Sequence, residues 1–465
     1  MTAWTEIPQV RPLCSVIYDP FTTLLVGSKQ IIIDGSRVRP PWGRALLCGL
    51  HVVQLAFAIV LLATLSFLGA SPAVPQAARP IVEADCVEVG PGFVKIPGLN
   101  VCTKLGLDAT LEGSDDFARF DLQAQSVRNT DGSVSATIRK SPRAREHKAS
   151  GTLLIRPHLS AVAPTDYGPL WVHVRPSKSS VSDDLRDFST SPMFVDDAWV
   201  SVGALTVGRR FSFFDYNPGF GYKPGYTSYR TTNLFALTAP LSDGLAATFS
   251  VEDGASRRRD DGIWALYEKP RLPDLVEAIH FNRDWGNAHA SVALHPITHD
   301  GLLGCACTEE SRALGFAGSA GAEYRQKFGE TFGRIMVSAA VADGALDYLG
   351  IPRFAPDYIS DADGAIRKTK GFSAIASYEH VWRRSLRTSM SFSVYGTTSA
   401  ADSLRWGARG YLAQFTVEYM PISNLVLGAE INHFVDMLKA EDATSARDSE
   451  QAALDRLLLY VRRFF

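Results

Sequence analysis

Ten residues, "LRTSMSFSVY" from Leu386 to Tyr395, decide the fold class. Leu386, Met390, Phe392 and Val394 fall on one side of an extended chain, and Arg387, Ser389, Ser391 and Ser393 on the other. Successive strand residues point to opposite faces, so the alternation describes a strand with one apolar and one polar face. The pattern recurs outward. In "GLAATFSVED" (Gly244 to Asp253), Leu245, Ala247, Phe249 and Val251 oppose Ala246, Thr248, Ser250 and Glu252. In "AQFTVEYM", Phe415, Val417 and Tyr419 oppose Gln414, Thr416 and Glu418, and "NLVLGAEIN" aligns Leu425, Leu427, Ala429 and Ile431. Turn residues stand between such runs, at Asn129 to Gly132, Ser242 to Gly244 and Asp361 to Gly364. The whole reads as an antiparallel meander.

A meander with one polar face suits a membrane barrel whose lumen holds water, and it also suits a sandwich or propeller that exposes that face to solvent. No fixed short repeat is visible. The last segment, "LDRLLLYVRRFF", favours the barrel: Leu457, Leu459 and Val461 share a face, and the strand ends in Phe465. Sixteen strands would each receive roughly 24 residues with their connection, enough for spans of about ten residues plus long loops.

Composition agrees with a barrel and excludes other classes. Of 465 residues, 46% are hydrophobic and 21% charged, and 47 Lys and Arg nearly balance 49 Asp and Glu. That is neither the basic excess of a nucleic-acid binder nor the charge density of a disordered tail, so nucleic acid is not expected as a partner. A mean hydropathy near zero excludes a polytopic helical membrane protein. The 37 glycines and 10% aromatics favour turns and strands.

One segment is far more apolar than the rest. Residues 44–78 carry no charge between Ala45 and Ala70, follow Arg37, Arg39 and Arg44, and lead into Ser71-Pro72-Ala73 and Val74-Pro75-Gln76-Ala77. Basic, apolar and then small residues are the order of a secretory signal, and a stretch of about 25 apolar residues is also long enough for a membrane anchor. The signal reading puts the mature start between Val74 and Ile81. Residues 1–43 are unlike the n-region of a signal, and no Met occurs between Met1 and Met193. They are read as a non-native, over-extended segment, followed by the signal at 44–78 and the barrel at 79–465.

Beyond the signal remain Cys86, Cys102, Cys305 and Cys307. An even count in an exported chain reads as disulfides. A bridge from Cys86 to Cys102 would close the turn-rich "CVEVGPGFVKIPGLNVC", worth about 3 kcal/mol in the chain-entropy model. The Cys-x-Cys at 305 and 307 is either free or a strained pair.

These phrases carry a resemblance. "CVEVGPGFVKIPGLNVCTKLG", with Cys86, Gly90, Gly92, Phe93, Ile96, Pro97, Gly98 and Cys102, is similar to the N-terminal signature of the alphaproteobacterial porins of the rhizobial and Brucella type. "AWVSVGALTVGRRFSFFDY", "NLFALTAPLSDGLAATFSVEDGASRR" and "LPDLVEAIHFNRDWGNAHASVALH" resemble that family's central strands, in the same order. "VADGALDYLG", "GFSAIASYEHVW" and the aromatic terminus agree more weakly. The resemblance covers most of residues 84–465. It implies a sixteen-stranded outer-membrane barrel, usually trimeric, set in lipid and lipopolysaccharide, that lets small hydrophilic solutes cross passively. The segment from Pro164 to Pro192 and Arg463 in the terminal "VRRFF" depart from the family pattern.

In such a channel the stapled loop would fix the start of the first strand and brace or plug the mouth, or be a plain exposed turn. A pore selects by the field at its narrowest point. "RRFSFFDYNPGFGYKPGYTSYR", Arg209 to Arg230, lies between two clear strands and is rich in aromatics and glycine, which marks it as the constriction loop. Asp215 is expected to supply the acid and Arg139, Arg156, Arg209 and Arg210 the facing basic row, with Lys223 and Arg230 also in the constriction set. "SRRRD" (Ser256 to Asp260) reads as a solvated turn or a contact for lipopolysaccharide phosphates. No catalytic or cofactor motif emerges: the ten histidines show no metal spacing, and "GFGYKPG" lacks the strand and helix that a nucleotide loop needs. Two other functions remain open. One is a periplasmic β-rich binding protein anchored in the inner membrane through residues 45–70. The other is an outer-membrane enzyme or specific channel.

Overall fold

The computed structural model describes residues 86, 89–118, 120–128, 134–142, 149–182, 189–259, 272–299, 311–352, 355–360, 365–401, 404–442 and 447–465. Sixteen antiparallel strands close into a barrel. They are β1 (Cys102–Ala118), β2 (Ala149–Ala163), β3 (Leu170–Ser182), β4 (Phe194–Val202), β5 (Leu205–Phe211), β6 (Thr231–Ser242), β7 (Leu245–Glu252) and β8 (Asp274–Arg283). The second half comprises β9 (Gly286–His299), β10 (Ser311–Phe328), β11 (Thr331–Asp343), β12 (Lys370–Arg383), β13 (Leu386–Ala401), β14 (Leu404–Tyr419), β15 (Leu425–Asp442) and β16 (Arg447–Phe464). Each pairs with its sequence neighbour, and β16 returns to β1 in a register from Asp108 opposite Phe464 to Ala118 opposite Leu454. Closure leaves the barrel no open sheet edge, so strand-to-strand ladders satisfy the backbone donors and acceptors without water, as a lipid environment demands.

Burial is inverted relative to a soluble protein. Along β13 the buried positions are Ser389, Ser391 and Ser393, while Met390 and Phe392 are 56% and 51% exposed. On β15, Glu430 and Asn432 are wholly buried beside an exposed Ile431. The same parity holds on β16, where Leu459 is 56% exposed. The polar face therefore points inward and the apolar face outward, which decides between barrel and sandwich. Among the described residues no helix is long and apolar enough to cross a membrane.

Connections differ sharply at the two ends. At one, tight turns join β4 to β5, β6 to β7, β8 to β9 and β10 to β11. Gly244 in the β6–β7 turn has φ +72°, and a Cβ there would lie 2.2 Å from the Asn282 carbonyl oxygen, so only glycine fits. The long connections gather at the other end. That between β1 and β2 contains a separate hairpin, Phe120–Arg128 with Val134–Pro142. Its Ile138 is buried in one cluster with Trp406, Ala408 and Leu438 of β14 and β15.

The turn-rich opening segment sits at the tight-turn end. Cys86 and Cys102 form a disulfide with Cα atoms 5.5 Å apart. Both cysteines are buried in one cluster with Val162. Phe93 meets Trp171 edge-on at 6.1 Å, and Lys104 Nζ donates to the Pro91 carbonyl at 3.1 Å. Gly90, Gly92 and Gly98 all take positive φ, which explains the glycine content of this loop. Val162 and Trp171 belong to the inward faces of β2 and β3, so the loop braces the rim from within. Most of residues 91–100 nevertheless remain exposed. Residues 1–85, Cys305 and Cys307 lie outside the described residues.

Candidate functional site

The segment between β5 and β6, residues 212–230, crosses the lumen. Its path is fixed by hydrogen bonds to strands on the far wall. Ser291 Oγ of β9 donates to the Phe214 carbonyl at 2.9 Å, and Asn217 Nδ2 donates to Glu323 of β10 at 3.0 Å. The Phe220 N–H donates to Ser377 Oγ of β12 at 3.0 Å, and its carbonyl accepts from Ser389 Oγ of β13 at 2.7 Å. At the tip, the Tyr222 N–H donates to Glu430 of β15, the Tyr222 hydroxyl donates to Glu112 of β1 at 2.9 Å, and its ring stacks on Tyr460 of β16 at 3.8 Å. The inward serines of the alternating strands are thus the loop's docking points. Glycine is required where backbone meets wall: a Cβ on Gly219 or Gly225 would lie within 3 Å of Ile375 Cδ1.

The loop's root is tied by a buried polar cluster at the long-loop end. Asp215 accepts from Ser228 Oγ, from the Arg230 N–H at 2.6 Å and from Arg257 Nη2 at 3.2 Å. Arg257 Nη1 donates to Ser228 Oγ at 3.0 Å, and its guanidinium lies 4.0 Å over the Tyr348 ring. Asp347 accepts from Arg230 twice at 3.0 Å and from Arg259 at 3.3 Å. Two short 3-10 turns, Gly254–Arg257 and Leu346–Leu349, present Arg257, Asp347 and Tyr348. Burial pushes the Asp215 carboxyl above its ordinary value, while Arg257 and three hydrogen bonds pull it back. Three separate connections are thereby locked together.

Several sequence-predicted residues occupy other places than expected. Asp215 is only 4% exposed and anchors the loop from behind. Arg209 follows the outward parity of Val207, and its Nε donates to the Val195 carbonyl at 2.9 Å. Arg139 belongs to the β1–β2 hairpin rather than to a barrel strand, and its side chain lies outside the described residues. Arg257 and Arg259 of "SRRRD" are buried, because the acids of neighbouring loops neutralise them; they face neither solvent nor lipid. Lys223 is at the loop tip, with Nζ 2.7 Å from Glu112, and Arg230 is at the root.

Arg156 and Arg210 do lie on the lumen face. Arg210 is held between the rings of Trp199 (5.1 Å) and Phe213 (4.9 Å), and among the described residues neither arginine forms an ion pair. Arg175 on β3 joins them on the same wall, bridged to Asp196 and Asp197 at 3.3 and 3.5 Å.

Sequence reading missed a second charged array. Near the tight-turn ends of β10–β16, Arg325 pairs with Glu323 at 2.8 Å and Arg334 with Glu379 at 2.7 Å. Arg387 pairs with Glu418, which also accepts from Arg462 at 3.4 Å and from the Tyr460 hydroxyl at 2.7 Å. Arg334 sits directly opposite Glu379, and Arg387 opposite Glu418. Each charge was visible as a polar residue on an alternating strand. Their juxtaposition depends on strand register.

A closed sixteen-stranded barrel, lipid-compatible outside, polar inside and crossed by a wall-bonded loop, is an outer-membrane channel. The family model of the porin subfamily matches residues 83–455, and the chain belongs to that family. The outer membrane channel DcaP of Acinetobacter baumannii has a similar fold at TM-score 0.53, with 15% identity over 78% of this chain and 97% of that one. An anion-selective porin from Comamonas acidovorans aligns at TM-score 0.41 and 11% identity, over 78% and 100% of the two chains. Salmonella typhi OmpF aligns at 0.40 and 12%, over 79% and 98%. No curated protein matches the chain in sequence.

Proposed function

We propose that the protein is a passive diffusion channel for small hydrophilic solutes and ions, of the alphaproteobacterial porin type and assembled as a trimer. The observation that carries this reading is the course of residues 212–230. They reach from β5 to β15, β16 and β1, and so occupy cross-section that sixteen strands would otherwise leave to water. Because the loop is hydrogen-bonded to the wall from β9 round to β1, it narrows the passage to the part of the lumen it leaves open, bounded by the β2–β5 wall and, on the tight-turn side of the loop, by the charged array of β10–β16. On the β2–β5 wall Arg156 and Arg210 form no ion pair among the described residues, and their positive charge favours anions. Residues 44–78 act as the export signal, consistent with a barrel that must cross the inner membrane.

Planar-bilayer recording of the purified protein tests the proposal. The expected result is stepwise, ohmic conductance with a reversal potential displaced toward anions in a salt gradient. The displacement should be larger at 0.1 M salt than at 1 M, since the screening length falls from about 10 Å to about 3 Å. Absence of conductance steps from folded, heat-modifiable protein would overturn it.

A further inference from the structure

Between the tight-turn side of the lumen loop and the wall formed by β11–β16 lies a polar cavity of about 250 Å³. Phe220 and Tyr222 line one side, and the Arg334–Glu379 and Arg387–Glu418 pairs with Arg462 line the other. We propose that this cavity is a binding subsite for small hydroxylated monocarboxylates of the sugar-acid class. The proposal deepens the diffusion-channel reading and rests on it.

Charge decides the ligand's sign. Three guanidinium groups face two carboxylates, leaving one positive charge for a monoanion to neutralise. Hydrogen-bonding capacity points the same way. Arg387 spends its Nε on Glu418, and among the described residues no hydrogen bond engages its Nη groups. Arg462, in the same lining, engages Glu418 only through Nη2, at 3.4 Å. A carboxylate accepts such paired N–H groups with matching geometry.

The hydroxyl groups follow from the acceptors. Glu379 Oε1 takes both hydrogen bonds from Arg334, whereas the nearest ion-pair partner of Oε2 is Arg387 at 4.0 Å. An ionised carboxylate has room for about four hydrogen bonds, so this oxygen is free to receive solute hydroxyls. Donor-rich and acceptor-rich points thus alternate along the wall, a pattern that an acid bearing neighbouring hydroxyls complements and a simple halide does not. A volume of this size holds one six-membered ring with its carboxylate.

The test is bilayer recording in 0.1 M KCl with glucuronate, glucose and glucosamine, which share a ring and differ in charge. Glucuronate should interrupt the current at a concentration at least tenfold below that of glucose, and glucosamine should do no better than glucose. Arg387→Gln should bring glucuronate to the level of glucose, while Arg387→Lys keeps part of the preference. Equal block by all three sugars in the native channel overturns the subsite and leaves the channel reading standing, as does a tenfold preference that survives Arg387→Gln. If Arg387→Gln does not fold, Arg462→Gln takes its place, and the native comparison decides by itself. No conductance in KCl alone defeats the diffusion reading and the subsite with it.

Discussion

At the scale of single residues, the environment on each face of a strand sets the cost of change. Leu459 points outward into lipid. Leu459→Arg should therefore cost about 2–4 kcal/mol if the position lies near the bilayer midplane. The check is the urea midpoint of unfolding in lipid vesicles, with Leu459→Phe as the tolerated control. Arg257 is different: 1% exposed, it neutralises Asp215 from within a closed cluster. Arg257→Ala leaves a buried carboxylate unpaired, which costs about 3–5 kcal/mol. That loss should fall on the loop root rather than on the barrel. Limited proteolysis should cut within residues 212–230 in the variant and not in the native protein, and the heat-modified gel shift should persist. The sequence showed both residues, yet their meanings differ in legibility. Leu459 declares its face by alternation with its neighbours. Nothing in "SRRRD" distinguishes an exposed turn from a buried one, because the acids that neutralise it, Asp215 and Asp347, arrive from distant connections.

At the scale of elements, the loop and the staple make separable contributions. Deleting Phe213 to Tyr226 removes the segment that crosses the lumen while leaving β5 and β6 paired through Leu205 to Phe211. Single-channel conductance of the deletion variant should rise, with the noise of a less ordered lumen. Unchanged conductance in folded channels would place the constriction elsewhere. Replacing Cys86 and Cys102 together by serine should leave conductance intact, since the loop they close braces the rim at Val162 and Trp171. Stability should fall by about 3 kcal/mol, the entropy that such a closure removes from the unfolded chain. Peptide mapping of native protein without reductant should recover residues 86 and 102 on one linked peptide.

At the scale of the whole molecule, closure and charge distribution matter most. The seam between the first and last strands is reinforced by Arg456, whose Nε and Nη2 meet the two oxygens of Asp116 at 2.6 and 2.9 Å. The chain end is tied in by reciprocal backbone hydrogen bonds between Phe465 and Leu107, and Arg463 caps the Ser423 carbonyl at 2.8 Å. That contact accounts for a charged residue in the aromatic terminus. Around the lumen, the β10–β16 wall pairs its arginines with glutamates and keeps one guanidinium in excess, while on the β2–β5 wall Arg156 and Arg210 form no ion pair among the described residues. Arg156→Gln with Arg210→Gln should shift the reversal potential toward cations, most strongly at low salt. N-terminal sequencing of outer-membrane material should return a start between Val74 and Ile81. Recovery of Met1 or Thr2 would reject the export signal at 44–78.

That the polar face turns inward, making a barrel and not a sandwich, showed only in the burial around the closed sheet, but the sequence set which residues share a strand face, because alternation is a local property that each strand carries whatever its neighbours do. It also marked the residues that cross the lumen, through the length and aromatic content of one connection. Which charges meet was settled by how the strands and loops come together in space. Ion pairing between strands depends on register, and a shift of one residue reverses every face. The contacts of Arg257 with Asp215 and of Arg387 with Glu418 join residues 42 and 31 positions apart. Coulomb attraction acts through space, so no local pattern could announce that Asp215 would anchor the loop and that Glu379 and Glu418 would meet arginines of neighbouring strands inside the barrel.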